Sequence, residues 1–556
     1  MLKKVKSVTK SVVKSAARGV RNDPEVRKIV AKYPRTFHFI KKRLTPDEKF
    51  GLYLTVGIVI SGMFIYLFLE ILLGLFTRDL LVMSDLRVLN IAASYRTPKL
   101  NQLMYLITTL GSGGVIFAGT GALATYFYLN NRWRHSVSIV ASVIFGEFFY
   151  RLLKYAVERS RPPLSLSLIY ANGYSFPSGH AFMATVFYGL VGYFVYRRTK
   201  TKLAKITVLV LFSFLIGIIG YSRIYLGVHW PTDVLAGFAS GAAWITVFVT
   251  VLEIGRKFRN SRLVSHVSRP LVIPSEAQRV EKSLKHSKID PSATLGMTNT
   301  REGKFKKLRD LGFILFAAWL VFLGFFWRRE ADTAFIKGGY SRERKISITE
   351  QDFPGKLFEG FPRFSETISG KPQEPIHIII IGSEDQLKSS FIKAGWLECD
   401  RLNTKNIKRQ AIASLLNEPY PTGPGVPSLW NTVPNNLSFE KPTELNSARE
   451  RHHIHFWETP FLLNDSRPST VLVPGRQVWF ATAHYDMTVN MKAAIMPVHT
   501  IDPAIDKERE RIKAELSNTG EIESVSEFQV VEPTLGKNQS GDLFFTDGKA
   551  YVFYLK

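Results

Sequence analysis

The chain has 556 residues, enough for two or more domains, with 46% hydrophobic residues, 40 Phe and a formal net charge of +27. Its single cysteine, Cys399, excludes an internal disulfide. Nucleic acid is set aside as a partner, because much of the Lys and Arg borders long apolar runs, where it fixes topology and meets anionic headgroups.

Residues 1–49 form a basic, amphipathic arm that begins MLKKVKSVTKSVVKSAARGVR and lacks the apolar core of a cleavable signal peptide. Residues 50–255 hold six apolar runs, at about 51–76, 101–129, 136–157, 181–196, 206–222 and 234–254. A bilayer crossing needs about 20 residues. The fourth and fifth runs are short and end in polar residues, which suits helices that open onto a site. Gly111, Ser112, Gly113, Gly114 and the Gly237/Gly241 pair suit close helix packing. Residues 256–310 form a basic, flexible cytoplasmic linker. A seventh apolar run, Leu311–Trp327, follows, then a linker over 328–370. From 371 the chain reads as a small α+β domain. Strands are expected at Ile376–Ile381, His452–Glu458, Val478–Asp486 and Ala550–Leu555, and helices at Glu384–Trp396 and Ile501–Ser517.

Positive charge sets the direction of the spans. The first 50 residues carry 15 Lys/Arg, the loop Arg197–Lys205 carries five and residues 255–310 carry 14. Six alternating spans put all three on one side, the cytoplasmic one. The loops 77–100, 158–180 and 223–233 then face outward, and the seventh span places the C-terminal domain outside as well.

Three outward clusters carry chemistry. In the first, Lys154 and Arg161 are seven residues apart and fall on one helical stripe, with Pro162 ending the helix. Ordinary interfacial snorkelling would explain that pair alone. In the second, Pro177-Ser178-Gly179-His180 opens the fourth span, where free N–H groups and the helix dipole favour an anion and Gly179 allows close approach. A plain Ser178 cap is the simpler explanation. The third runs Ser222-Arg223 through His229 to Asp233. A carboxylate four residues after His229 can hold Nδ1–H and leave Nε2 free to attack, or can cap the sixth span. Together the clusters offer three cations for a dianionic phosphate and two histidines, one as nucleophile and one as acid. Glu147, seven residues before Lys154, is expected to pair with Arg151 or to support Lys154 from below.

KX6RP, PSGH and SRX5HX3D together resemble the type 2 phosphatidic acid phosphatase superfamily, which also includes vanadium haloperoxidases and acid phosphatases. The resemblance covers about residues 50–255. It implies an all-α, six-helix polytopic membrane fold with its site at the outer surface. It implies His229 as nucleophile through a phosphohistidine, Asp233 as its support and His180 as acid to the leaving alkoxide. Lys154, Arg161, Ser178, Gly179, Ser222 and Arg223 would hold the phosphoryl oxygens, with no metal or other cofactor. Residues about 375–515 are similar to the LssY-like C-terminal domain fused to bacterial membrane phosphatases, on PIHIIIIG, Asn417–Pro424, RHHIHFW, ATAHYD and HTIDP. There His453, His455, His484, Asp486, His499 and Asp502 are read as structural hydrogen-bonding groups, because metal-site spacing is absent; a zinc-type site is the alternative.

The expected protein is therefore a multi-pass inner-membrane hydrolase acting on a lipid phosphate or pyrophosphate. Its partners would be membrane lipids and, through the C-terminal domain, the substrate headgroup, an envelope protein or the phosphatase domain itself. A lipid phosphotransferase and a membrane anchor presenting the C-terminal domain are the alternatives.

Overall fold

The computed structural model describes residues 51–267 and 345–556 apart from short interruptions, with a few isolated positions before residue 51. Leu311–Trp327 and most of the basic arm lie outside the described residues. The first half is helical: α1 (Leu52–Thr77), α2 (Leu80–Met83), α3 (Asp85–Ser94), α4 (Pro98–Thr109), α5 (Gly113–Leu129), α6 (Trp133–Val157), α7 (Gly179–Arg198), α8 (Lys202–Tyr225) and α9 (Pro231–Val267). Among the described residues, α1, α6, α8 and α9 to Arg256 are long and apolar enough to cross a membrane. Helices α4 and α5 together pass the same test but are bent by 45°.

Among the described residues the six apolar runs thus become four long apolar helices, one bent apolar pair and a central helix that does not pass the same test. That helix is α7. Every residue from Ala181 to Tyr188 is buried, so α7 is wrapped by its neighbours rather than by lipid. Outward-facing Val59, Tyr66, Phe145, Phe148, Leu211 and Phe214 are exposed, as a lipid-facing belt requires. The α4–α5 bend falls at Gly111. A Cβ there would lie 2.6 Å from Ile219 and 3.2 Å from His180, so a side chain is excluded where the bent span meets α7 and α8. Gly237 and Gly241 do seat α9 against α7: a Cβ would come within 2.7 Å of the Ser178 carbonyl oxygen and 2.9 Å of Thr185.

The second half is β-rich. Its strands are β1 (Ile346–Thr349), β2 (Phe364–Glu366), β3 (Pro372–Pro375), β4 (Ile378–Ile381), β5 (Leu397–Glu398), β6 (Leu429–Trp430), β7 (Val433–Pro434), β8 (Leu437–Pro442), β9 (Arg451–Asn464), β10 (Arg476–Ala493), β11 (Met496–Ile501), β12 (Ile522–Gln529), β13 (Thr534–Lys537), β14 (Leu543–Thr546) and β15 (Lys549–Leu555). The main sheet runs β12-β15-β4-β10-β9-β8-β5, with β1 on β9 and β11 on β10. Helices α10 (Glu384–Lys393), α11 (Thr404–Leu416) and α12 (Asp506–Ser517) complete it.

All four isoleucines of β4 are buried because the strand is central and covered on both faces. Ile378 and Ile380 join Leu387 and Phe391 of α10 and Ile512 and Leu516 of α12. Ile379 and Ile381 join Leu357, Phe358 and Trp430 on the other face. Two expected helices are shorter than their sequence spans. Helix α10 stops at Lys393 and leaves Trp396 in the core. The span expected as a helix from Ile501 begins at Asp506, because β-branched Val498, Thr500 and Ile501 pair with β10 as a strand.

The halves meet at α3. Arg87 pairs with Glu366 at 2.6 Å. The β6–β7 turn, with positive φ at Asn431 and Thr432, presents the Thr432 carbonyl to Asn90 Nδ2 at 2.9 Å. Glu366 also accepts from the Thr432 N–H.

Candidate active site

The three motifs converge beside the start of α7. Helix α6 does not run on to Pro162. It ends at Val157, where Glu158 takes a left-handed conformation (φ 53°) and turns the chain aside. Lys154 and Arg161 therefore do not share a helical stripe; a folded-back loop brings the second to the first. Lys154 Nζ donates to the Tyr174 carbonyl at 2.5 Å, and Arg161 donates to the carbonyls of Gly173, Asn172 and Val228 at 2.9, 2.9 and 2.6 Å. Those carbonyls pin both cations at the ends of their side chains.

Ser178 is the N-cap of α7, accepting from the Ala181 N–H at 3.5 Å, so the simple capping role is present. Its own N–H donates to the Asp233 carbonyl at 2.9 Å, which ties the second motif to the third. At Gly179 a Cβ would lie 2.9 Å from the Tyr150 ring, so only glycine lets α7 begin there. Ser222 is fully buried and donates to the Ile219 carbonyl at 2.6 Å. Arg223 is buried and donates to Thr108 at 2.7 Å, while its Nε has no hydrogen-bond partner among the described residues. A buried guanidinium N–H left open in this way is suited to an anion. Between Arg223 and His229 the chain needs Gly227, at φ +75°, where a Cβ would strike the Leu166 carbonyl oxygen.

His229 is 2% exposed. Its Nδ1 is 3.3 Å from Asp233 Oδ2, and its Nε2 is 3.3 Å from Arg161 Nη1. The carboxylate holds the proton on Nδ1 and leaves the Nε2 lone pair among the cations. Burial, followed by Arg223, Arg161 and Lys154, pushes the imidazole well below its usual value, so His229 is neutral. His180 is half-buried in the first turn of α7, with Arg223, His229, Lys154 and Arg161 around it.

Two supporting residues were not legible as such in the sequence. Arg159 donates to Asp233 Oδ1 at 2.6 Å and to Asp85 Oδ2 at 2.6 Å. Asp85 in turn accepts from the Thr232 N–H at 2.9 Å and the Thr232 hydroxyl at 2.5 Å, at the start of α9. Burial pushes the Asp85 carboxyl up, against Thr232 and Arg159, which hold it down. Arg159 lies inside the first motif, so its position was a signal. Asp85 opens α3, 74 residues from Arg159 in sequence, and only the fold shows its role. Glu147 pairs with Arg151 at 2.7 Å and accepts from Tyr150 at 2.9 Å, which takes the first of its two expected alternatives.

In the C-terminal half, His453, His455, His484 and Asp486 come together, while Asp502 instead accepts from the Ala504 N–H and pairs with Lys507. The side chain of His499 lies outside the described residues.

Residues 135–256 match the PAP2 superfamily and residues 358–550 match the LssY C-terminus. The chain is 29% identical over 206 residues to phosphatidylglycerophosphatase B of Bacillus subtilis (strain 168), across 36% of this chain and 96% of that protein. It is 32% identical over 127 residues to undecaprenyl-diphosphatase of Sulfolobus acidocaldarius, across 21% of this chain and 52% of that protein. Among solved structures it is similar to the transmembrane PAP2 type phosphatidylglycerolphosphate phosphatase from Bacillus subtilis, at 26% identity over 35% of this chain and 96% of that one, with a TM-score of 0.30.

Proposed function

The chain carries a PAP2 superfamily domain and an LssY C-terminal domain, and on that premise we propose that it is a membrane lipid phosphatase or pyrophosphatase working through a phosphohistidine at His229. The observation that carries this is the setting of His229. Its Nδ1 is held by Asp233 and its Nε2 lies in a group of cations whose Arg223 Nε has no hydrogen-bond partner among the described residues.

A phosphate dianion bound by Lys154, Arg161 and Arg223 presents its phosphorus to His229 Nε2. Ser178, Gly179 and Ser222 line that position as part of the motifs. The bound phosphate dianion offsets the surrounding cations and lets His180 take up a proton from solvent; the N–P bond then forms as the P–O bond to the lipid breaks, and His180 gives that proton to the leaving alkoxide. Water, deprotonated by His180, then attacks phosphorus, and the N–P bond breaks to release phosphate. The cations stabilise the five-coordinate phosphoryl group throughout. Asp233 keeps the nucleophile's tautomer, and Arg159 keeps Asp233.

Relatives named for phosphatidylglycerophosphate and undecaprenyl diphosphate support a lipid substrate with an anionic phosphate end. Two things support an outward-facing site. One is the run of basic loops on the opposite side. The other is the Arg87–Glu366 pair, which holds the C-terminal domain against α3, the helix that begins with Asp85.

The test is to trap the intermediate. Purified protein is given a lipid with a labelled phosphate and quenched in alkali, where phosphohistidine survives. Label should stay on the wild type and be missing from His229→Ala. Equal labelling of both, with the variant folded, would remove His229 as nucleophile.

A further inference from the structure

The C-terminal sheet holds a second group of imidazoles and carboxyls that the phosphatase chemistry does not use. Strand alternation puts Arg451, His453, His455 and Trp457 on one face of β9. The register sets His484 of β10 opposite His453, Asp486 opposite Arg451, and Glu440 of β8 opposite His453 from the other side. At one end this face is aromatic core, with Trp430, Trp457 and Phe480. At the other it is polar yet buried: His453 is 4% exposed, His455 5% and Asp486 2%.

Three donor atoms gather there. His453 Nδ1 is 3.9 Å from Asp486 Oδ2, and His484 Nε2 is 3.5 Å from Asp486 Oδ1. One donor from each of the three residues lies within 4.8 Å of the other two. Donors around a four-coordinate zinc, each at about 2.1 Å, stand roughly 3.5 Å apart, so small side-chain rotations complete the set.

The surroundings match a metal histidine. The far nitrogen of His484, Nδ1, is 3.1 Å from Glu374 Oε2. A carboxylate in that place fixes the tautomer of a ligating imidazole and aims Nε2 at the ion. The chain crosses close over His453: a Cβ on Gly425 would lie 2.5 Å from its Cε1 and 2.7 Å from its Nε2. Carboxyl groups complete the setting: Glu374 pairs with His484 at 3.1 Å, and Glu440 and Asp486 lie 2.8 and 3.5 Å from Arg451. A competing group, Cys399 with Glu440 and His453, is weaker because Glu440 is already committed to Arg451.

We propose that His453, His484 and Asp486 bind a divalent first-row transition ion of the zinc class, with Glu374 as the outer partner of His484. Two imidazoles and one carboxylate suit zinc or ferrous iron and leave a coordination position open. His455 stands beside the triad, with its ring centre 4.2 Å from that of His453 and its Nδ1 3.1 Å from the Ser438 hydroxyl.

The test uses the full chain in detergent, purified without a histidine tag, stripped by a chelator and then equilibrated with Zn²⁺. Elemental analysis should find one zinc per wild-type chain and none in His453→Ala/His484→Ala. His229→Ala should keep its zinc, which separates this site from the histidines of the phosphatase domain. Should the double variant misfold, Glu374→Gln decides: competition with a chromophoric chelator should show zinc held about 10- to 100-fold more weakly. No bound zinc on the wild type, or unchanged zinc on folded His453→Ala/His484→Ala or Glu374→Gln, would overturn the assignment. Phosphate release is measured on the same samples, so this site and the phosphatase site stand or fall separately.

Discussion

Both halves of the chain gather histidines, but one set lies among cations and the other among carboxyl groups. In the helical half, His180 and His229 sit with Lys154, Arg161 and Arg223, and the nearby carboxylates of Asp85 and Asp233 are paired with Arg159. What remains there is positive. In the β-rich half, His453, His455 and His484 sit with Glu374, Glu440 and Asp486, and Arg451 reaches the last two of those carboxyls. Carboxyl groups rather than cations line the imidazoles there. The same side chain responds in opposite directions. Burial and then three cations push His229 well below its ordinary value. At His484 burial pulls the same way, yet Glu374 and Asp486 carry the imidazole up to about 9. Residue type alone thus does not assign a buried histidine. Neighbours decide as much: beside His484, His455 is pushed down to about 3 by burial and then by His484 itself.

The sharpest way to break this contrast is to spoil the charge pairing on the positive side. Arg159→Gln leaves Asp85 and Asp233 buried without their guanidinium. Loss of one partner from a buried pair costs about 3–5 kcal/mol, so the melting temperature should fall. Turnover by the protein that remains folded should drop by about 100-fold or more, because Asp233 no longer fixes His229. A folded variant with unchanged kcat would show that the Arg159 contacts are only structural.

A milder test uses pH. His229 has its folded value below its unfolded one, so folding favours the neutral imidazole. Its contribution to stability is complete above the unfolded value of about 6.5 and is lost as the pH falls below it. For the same reason, kcat/KM should show no acid limb from this group near 6.5, only one well below. An imidazole NMR resonance that titrates near 6.5 and is missing from the spectrum of His229→Ala would contradict the cationic setting of this residue.

The smallest effect is expected where the halves touch. Arg87→Glu should weaken the contact between α3 and the β6–β7 turn, seen as reduced short-range cross-linking between cysteines placed at Asn90 and Thr432. The reversed pair Arg87→Glu/Glu366→Arg should restore it. Turnover on a short-chain phosphate ester should change little, since neither residue touches the site. Unchanged cross-linking in Arg87→Glu would mean the ion pair does not hold the contact.

Much of the phosphatase side was legible in the sequence, because its residues come in short motifs at helix ends. Spacing within PSGH and HX3D survives folding: Ser178 caps α7, and Asp233 reaches His229 within one helical turn. The stripe argument for Lys154 and Arg161 failed because helix periodicity stops at Val157, and no proline marks that point. Asp85 could not be found, since 74 residues separate it from Arg159. In the β-rich half, alternation placed His453 and His455 on one face, but their partners come from strand pairing. Glu374 lies 110 residues from His484, and nothing local announces it. Asp502 lies near the histidines in sequence, yet its carboxylate accepts from the Ala504 N–H at the turn into α12.

The central claim is that the cationic site works without a metal while the acidic one holds one. Phosphate release from a short-chain lipid phosphate, measured on full-length protein before and after exhaustive chelation, tests it most directly. The account predicts that the zinc content falls to nothing while the rate on this ester persists, and that His229→Ala is inactive in both states. Loss of turnover on chelation, restored by Mg²⁺ or Zn²⁺ at a concentration that leaves His229→Ala inactive, would contradict it.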